Sequence, residues 1–238
     1  MFRNSKVIKY FVRLCLVLII IGSQQASAYD IEKEREFDRI MAQGEKFHVQ
    51  GNYTEAIKKY NEAIKVMPSF WGSYNLRGEA YLSLHQYKNA LDEFTKAEKL
   101  DSINELVVYS NKTGALFFLG NHHESLEYAN KALDAYDNLT LLDKGHAEAK
   151  VRLHKTYCHA AASSCLLGKR EQALQFAEKG VQLYPNSWVS YATKGMVLAR
   201  LGYAEDAIKS YEKAIEINPE NITIRQEKNK LIGRSVVK

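Results

Sequence analysis

One arrangement of small, apolar and polar positions recurs five times along this chain. In its clearest copy, Ala56, Tyr60 and Ala63 lie four and three residues apart, and Pro68 closes the segment. This spacing places the three side chains on one face of a helix. The small residue that opens each copy is, in chain order, Ala56, Ala90, Ser125, Ala173 and Ala207. A pattern repeated at a nearly fixed period predicts a stack of similar helical units.

The step between copies is 34 or 35 residues, except for 48 residues between the third and the fourth copy. Within this longer interval, Ala147, Val151, His154 and Cys158 continue one helical face at i, i+4 and i+7 spacing. The first helix of the fourth unit is therefore expected to begin early and to project beyond its neighbours by about two turns.

A second set of small residues lies upstream of three of these segments, at Gly44, Gly78 and Gly195, and aromatic residues recur around the small positions. With Pro68, Pro185 and Pro219 closing three of the units, this pattern resembles the tetratricopeptide repeat over residues 37–221. The resemblance implies that each unit is a pair of antiparallel helices, with the small residues where the two helices meet. Three positions depart from the repeat pattern: Ile40 replaces an aromatic residue, Lys112 replaces the glycine of the third unit, and Ser102 replaces a closing proline.

The resemblance implies an all-α tetratricopeptide-repeat solenoid of about five helix-turn-helix units with a C-terminal capping helix. The expected organisation is a lead-in at 29–36, units at about 37–70, 71–105, 106–139, 154–187 and 188–221, an insertion at 140–153, and a capping helix and tail at 222–238. Residues 222–238 combine apolar and charged positions, as a helix that shields the last repeat from water requires, and Gly233 is expected to end it.

The N-terminal segment has the pattern of a cleavable secretion signal. Four basic residues and no acidic ones occur in residues 1–28, an apolar run covers Leu14–Gly22, and Ala26-Ser27-Ala28 provides small residues before the expected cleavage point. The apolar run is roughly half of the 20 or so residues that a membrane span needs, so cleavage is favoured over an uncleaved membrane anchor. The protein is therefore expected to be exported, either periplasmic or secreted.

Removing this segment changes the charge of the chain. The full sequence has 33 basic and 28 acidic side chains, a net charge of +5; without the four basic residues of the signal, 29 remain against 28, a net charge of +1. A nearly neutral chain without a basic stripe does not predict binding to nucleic acid.

The first helices of such units line a concave surface, and in the resembled family this surface holds a peptide or a partner helix. Mapping the inward positions onto this chain predicts a groove that is apolar with scattered polar groups, suited to an amphipathic or hydrophobic partner segment. The alternative is that several of these residues only pack the inner wall. The candidate binding residues are Asn75, Glu79, Ser110, Phe117, Lys155, Cys158, His159 and Met196.

The sequence offers no motif for catalysis and a poor one for metal binding. His154 and Cys158 share a helix face, but Cys165 lies almost two turns further on, and neither a CxxC nor an HExxH pattern occurs. We therefore expect no metal, no cofactor and no enzyme activity. The function expected is that of an exported protein-protein interaction scaffold or adaptor; the alternatives are a self-associating structural solenoid and, less favoured, a metal-dependent or hydrolytic enzyme.

Overall fold

A computed structural model describes residues 30–100 and 104–236 of the 238-residue chain. The predicted secretion signal and Ser102 lie outside the described residues. Twelve helices occupy the described part. They are α1 (residues 30–49), α2 (Tyr53–Val66), α3 (Trp71–Ser83), α4 (Tyr87–Leu100), α5 (Glu105–Phe118), α6 (His122–Asp137), α7 (Leu141–Gly145), α8 (Ala147–Leu166), α9 (Arg170–Leu183), α10 (Trp188–Leu201), α11 (Ala204–Ile217) and α12 (Ile222–Val236).

The helices pack as successive antiparallel pairs, which confirms the predicted all-α solenoid. Within units, α3 packs on α4, α5 on α6, α8 on α9 and α10 on α11; each second helix then packs on the first helix of the next unit. Four small apolar clusters follow one another along the stack instead of a single central core. Each unit thus buries its apolar face only against its neighbours, as repeat architectures do.

The small residues predicted at the helix–helix contacts are fully buried. Ala56, Ala90, Ala173 and Ala207 have no solvent exposure, and Ser125 donates a hydrogen bond to the carbonyl of Thr113 at 3.0 Å. A polar serine is tolerated at this position because its hydroxyl finds a backbone partner across the contact.

In the third unit, Lys112 replaces the glycine at the contact between the two helices. In the other units, a Cβ added at Gly44, Gly78 or Gly195 would lie within 2.8 Å of an aromatic ring of the second helix. In the third unit the equivalent ring, Tyr128, is only half-buried, and the Lys112 ammonium lies 4.0 Å above its centre. This buried ammonium also donates to Glu98 at 2.5 Å and to the Tyr128 hydroxyl at 2.7 Å. Charge pairing and the cation–π contact replace the close packing that glycine permits.

The turn between the two helices of a unit requires a left-handed residue. Glycine supplies it in four units, with φ between 73° and 90°, but in the second unit His85 adopts φ 58°. Its ring Nδ1 lies 2.8 Å from the Tyr87 hydroxyl, a local contact that helps to hold this less favourable conformation.

The long interval before the fourth unit and the C-terminal segment were predicted to form a projecting helix and a capping helix, which correspond to α8 and α12. α8 starts at Ala147 and has 20 residues, against 13 for α3 and 14 for α5 and α10, so its N-terminal turns extend past its neighbours. α12 packs on α11 through Ile224, which is 5% exposed.

The expectation that Gly233 ends α12 is wrong, because the helix continues to Val236. Glycine ends a helix where the chain turns, and no turn occurs here.

Candidate functional site

A groove of about 440 Å3 runs across the first helices of units one to four. Its lining includes Met41 from α1, Asn75 from α3, Val107 from α5, and Arg152 from α8. Because α1 and α8 belong to the first and fourth units yet border the same cavity, the surface formed by these helices is concave. We call this cavity the inner groove.

A buried network of polar side chains forms part of the floor of the inner groove. Arg152 donates from Nη1 to Glu79 Oε1 and to Asn111 Oδ1, both at 2.7 Å. Asn111 in turn donates to Glu79 Oε1 at 2.8 Å and to Asn75 Oδ1 at 2.9 Å, and Asn75 donates to Glu79 Oε1 at 3.2 Å. The Arg152 and Glu79 side chains are 13% and 22% exposed. These bonds tie α3, α5 and α8 together across three units.

Glu79 is ionised in this network. Burial alone would raise the pKa of its carboxyl, but the charge of Arg152 and the hydrogen bonds from Arg152, Asn111 and Asn75 together outweigh burial and lower the pKa below its ordinary value of 4.5. The ionised carboxylate can therefore accept all three of these donors.

Ser110 belongs to the same contact but faces the backbone of α8. Its hydroxyl donates to the carbonyl oxygen of Arg152 at 3.1 Å, and Thr156 donates to the Ser110 hydroxyl at 3.0 Å. Ser110 is 4% exposed and Thr156 is fully buried. Ser110, a predicted binding residue, thus helps to pack α5 against α8 and binds the backbone of Arg152.

Phe117 and His159 form an aromatic cluster about two turns further along α5 and α8 than Ser110 and Arg152. Their ring centres are 5.3 Å apart, and Phe117 also contacts Phe118 and His122 at 5.3 Å and 5.7 Å. Burial, with a smaller contribution from the positive charge of Lys155, lowers the pKa of His159 to about 4, so its imidazole is neutral at pH 7. Within the described part of the chain, Nδ1 of His159 is buried and has no hydrogen-bond partner.

Lys155 is an exposed cation on α8. It lies three residues after Arg152 and seven after Glu148 on α8, which places it on the same helix face one turn beyond the polar network. Lys155 is therefore the predicted site residue that is most accessible to a partner.

Cys158 and Met196 lie apart from the polar network. Cys158 is 7% exposed, and its sulfur is 3.6 Å from His154 Nε2, which itself is 2.6 Å from the Ser190 hydroxyl. Burial raises the pKa of the Cys158 thiol to about 11, although a hydrogen bond from Thr193 opposes it, so the thiol is protonated and is a poor metal ligand at pH 7. Met196 is half-buried and borders a second groove, of about 820 Å3, between α10, α11 and α12.

The structure brings Asn75, Glu79 and Ser110 together through Arg152, which the sequence analysis did not select. In the repeat alignment, Arg152 lies in the predicted insertion before the fourth unit. The alignment therefore did not assign it to the positions that line the groove.

In the described residues no group of three or more His, Cys, Asp or Glu side chains is arranged to hold a metal ion. No described helix is both long enough and apolar enough to cross a membrane.

Models of known families match three stretches of the chain. A model described as TPR repeat matches residues 44–84, and a model described as tetratricopeptide repeat matches residues 72–104 and 189–221. These matches fall in units one, two and five.

Curated relatives share the repeat at modest identity. A TPR repeat-containing protein of Methanocaldococcus jannaschii is 24% identical over 202 residues, covering 72% of this chain and 35% of that protein. The small glutamine-rich tetratricopeptide repeat-containing protein 2 of Saccharomyces cerevisiae is 31% identical over 129 residues, covering 53% of this chain and 37% of that protein. The chain therefore spans about a third of the length of these two relatives.

Several solved structures have a similar fold. PilW, a widely conserved type IV pilus biogenesis factor, superposes with a TM-score of 0.68 at 16% identity over 83% of this chain and 86% of PilW. Pseudomonas aeruginosa pilF gives 0.64 at 18% identity over 85% and 89%. YrrB, a TPR protein with an unusual peptide-binding site, gives 0.57 at 18% identity over 80% and 90%. At these identities the likeness shows the fold alone.

Proposed function

The chain belongs to the tetratricopeptide-repeat family, and we propose that it is a non-catalytic scaffold or adaptor that binds a partner polypeptide in the inner groove. Proteins of this family are in general protein-interaction scaffolds. The observation that carries the proposal is the inner groove itself, which four successive units line and beside which the network around Arg152 joins α3, α5 and α8. Helices that are joined before binding lose less conformational entropy when a partner binds.

The proposed contacts divide between rigid and accessible residues. Asn75, Glu79 and Ser110 fix the floor, Phe117 and His159 supply apolar and aromatic area, and Lys155 presents an exposed charge that orients the bound segment. Cys158 gives a small apolar wall, and Met196 extends the binding surface toward the second groove.

Site-specific photo-cross-linking in the native host tests this proposal. A photoreactive amino acid replaces Lys155 on the face of α8 that borders the inner groove, and a matched variant carries it at Lys209, an exposed lysine of α11 paired with Asp206. We expect a polypeptide to be attached at position 155 and not at position 209. Attachment at position 209 alone places binding on the outer surface and contradicts the proposal; attachment of a second copy of this chain supports the self-associating alternative.

We further propose that the protein is exported. The support is the basic start, the short apolar run and Ala26-Ser27-Ala28, all in the sequence. N-terminal sequencing of the protein from its native host is expected to begin at Tyr29. An intact Met1 in the membrane fraction would instead indicate an anchored protein.

A further inference from the structure

The inner groove carries an excess of negative charge. Asp38 and Glu45 lie seven residues apart on the groove face of α1, and Glu148 faces them from α8. All three side chains are exposed. Among the described residues that line this groove, Arg152 is the single cation; the exposed Lys155 lies one turn beyond the lining, further along α8.

Arg152 does not balance these carboxylates. Its guanidinium is bonded to Glu79 at 2.7 Å on the floor and to Glu148 at 3.3 Å at the edge. The guanidinium is therefore already engaged by two carboxylates, of which Glu79 is ionised, and it does not pair with Asp38 or Glu45. The other two cations of this part of α1, Arg39 and Lys46, lie one residue beyond Asp38 and Glu45, which turns them away from the groove.

Aromatic rings stand beside the carboxylates. Phe37, Phe70 and Trp71 line the same cavity, and Phe70 meets Phe37 edge to face with ring centres 5.0 Å apart. Phe70 is 37% exposed, and Trp71 is half-buried. A cationic side chain at such a place is attracted by the charge of the carboxylates and also by the quadrupole of the accessible aromatic ring.

We propose that the inner groove receives a polypeptide segment rich in lysine or arginine. The inference rests on the proposed function and names the class of its partner. The aliphatic stems of the basic side chains lie along Phe70 and Trp71 and their charged ends reach Asp38, Glu45 and Glu148. This basic partner segment differs from the amphipathic or hydrophobic segment that the repeat register alone predicts.

Charge-matched peptides test the inference. The probes are two fluorescein-labelled peptides of equal length, with leucine and alanine at the same positions, one with lysine and one with glutamate at all remaining positions. Fluorescence anisotropy measures binding to the purified protein at low and at physiological ionic strength. The lysine peptide is expected to bind at least about tenfold more tightly than the glutamate peptide, and its affinity is expected to fall as salt is added.

Two charge reversals locate the effect. Glu45→Lys is expected to weaken binding of the lysine peptide about fivefold or more. Asp92→Lys makes the same change of charge at an exposed position of α4, outside the groove, and is expected to leave the affinity within about twofold. Circular dichroism and melting temperature confirm that both variants are folded.

Three outcomes overturn the inference: no binding of the lysine peptide, equal binding of both peptides, or equal weakening by Glu45→Lys and Asp92→Lys. If instead the glutamate peptide binds more tightly and Glu45→Lys strengthens it further, the charge assignment is wrong while binding in the groove stands. Failure of the proposed function has a different signature, which is cross-linking at position 209 without cross-linking at position 155.

Discussion

Replacing Arg152 with alanine is expected to lower the free energy of unfolding by about 2–4 kcal/mol at pH 7. The substitution leaves the largely buried Glu79 carboxylate without its counter-charge, and removing one partner of a buried ion pair is among the most costly single changes. It also removes the donor to Asn111 Oδ1 that links α5 to α8. Urea unfolding followed by circular dichroism measures the change.

The pH dependence of this loss separates the charge from the lost packing. In the wild type, the lowered pKa of Glu79 means that its contribution is present above the ordinary carboxyl pKa and is lost as the pH falls through the lowered value. In Arg152→Ala only the hydrogen bonds from Asn111 and Asn75 still oppose the effect of burial on the pKa of Glu79, so Glu79 takes up a proton at a higher pH than in the wild type. The difference in stability between wild type and variant is therefore expected to narrow between pH 7 and pH 4.

Arg225→Ala is the matched control, since Arg225 is exposed on α12. Its effect is expected to stay within about 0.5 kcal/mol at both pH values. An Arg152→Ala variant as stable as the wild type, or a difference that does not change with pH, would show that the network does not hold the groove.

The same substitution at two helical glycines is expected to have opposite effects. A Cβ at Gly78 would lie 2.6 Å from Cε1 of Phe94, a ring with no solvent exposure. Gly78→Ala is therefore expected to destabilise the protein by about 1–3 kcal/mol through overpacking. A Cβ at Gly233 on α12 meets nothing within 4 Å, so Gly233→Ala is expected to stabilise it slightly, by at most about 1 kcal/mol, because alanine favours helix.

Thermal and chemical unfolding of Gly78→Ala and Gly233→Ala measure the change in stability that each alanine causes. If both alanines stabilise the protein, the close contact between the first and second helices of unit two is not tight, and the alignment of Gly78 with Gly44 and Gly195 has no packing basis.

The fold was predictable because the repeat pattern reports local contacts. Gly78 lies against Phe94 only sixteen residues away, and Ala90 packs within the same helix pair, so a period of 34 residues encodes these contacts directly. Lys112 departs from the pattern, and its role was not predictable from the register, because it depends on pairing with Glu98 of the preceding unit and on contact with a Tyr128 that is only half-buried.

The chemistry of the groove was less predictable because it depends on residues outside the register. Arg152 meets Glu79 across 73 positions of sequence, and the meeting depends on how far α8 extends past its neighbours. Glu148 lies in the same extension, so the alignment of repeat units omitted it from the groove. An apolar groove was the natural expectation from the aligned positions, and the acidic character appears only once α1 and α8 face each other.

A structure of the protein bound to the polypeptide captured by cross-linking tests the central claim most directly. The account predicts that the partner segment lies along the inner groove, in contact with α1, α3, α5 and α8 and with a basic side chain next to Asp38, Glu45 or Glu148. A partner that rests on the surface formed by α2, α4, α6 and α9, with the inner groove empty, would contradict it.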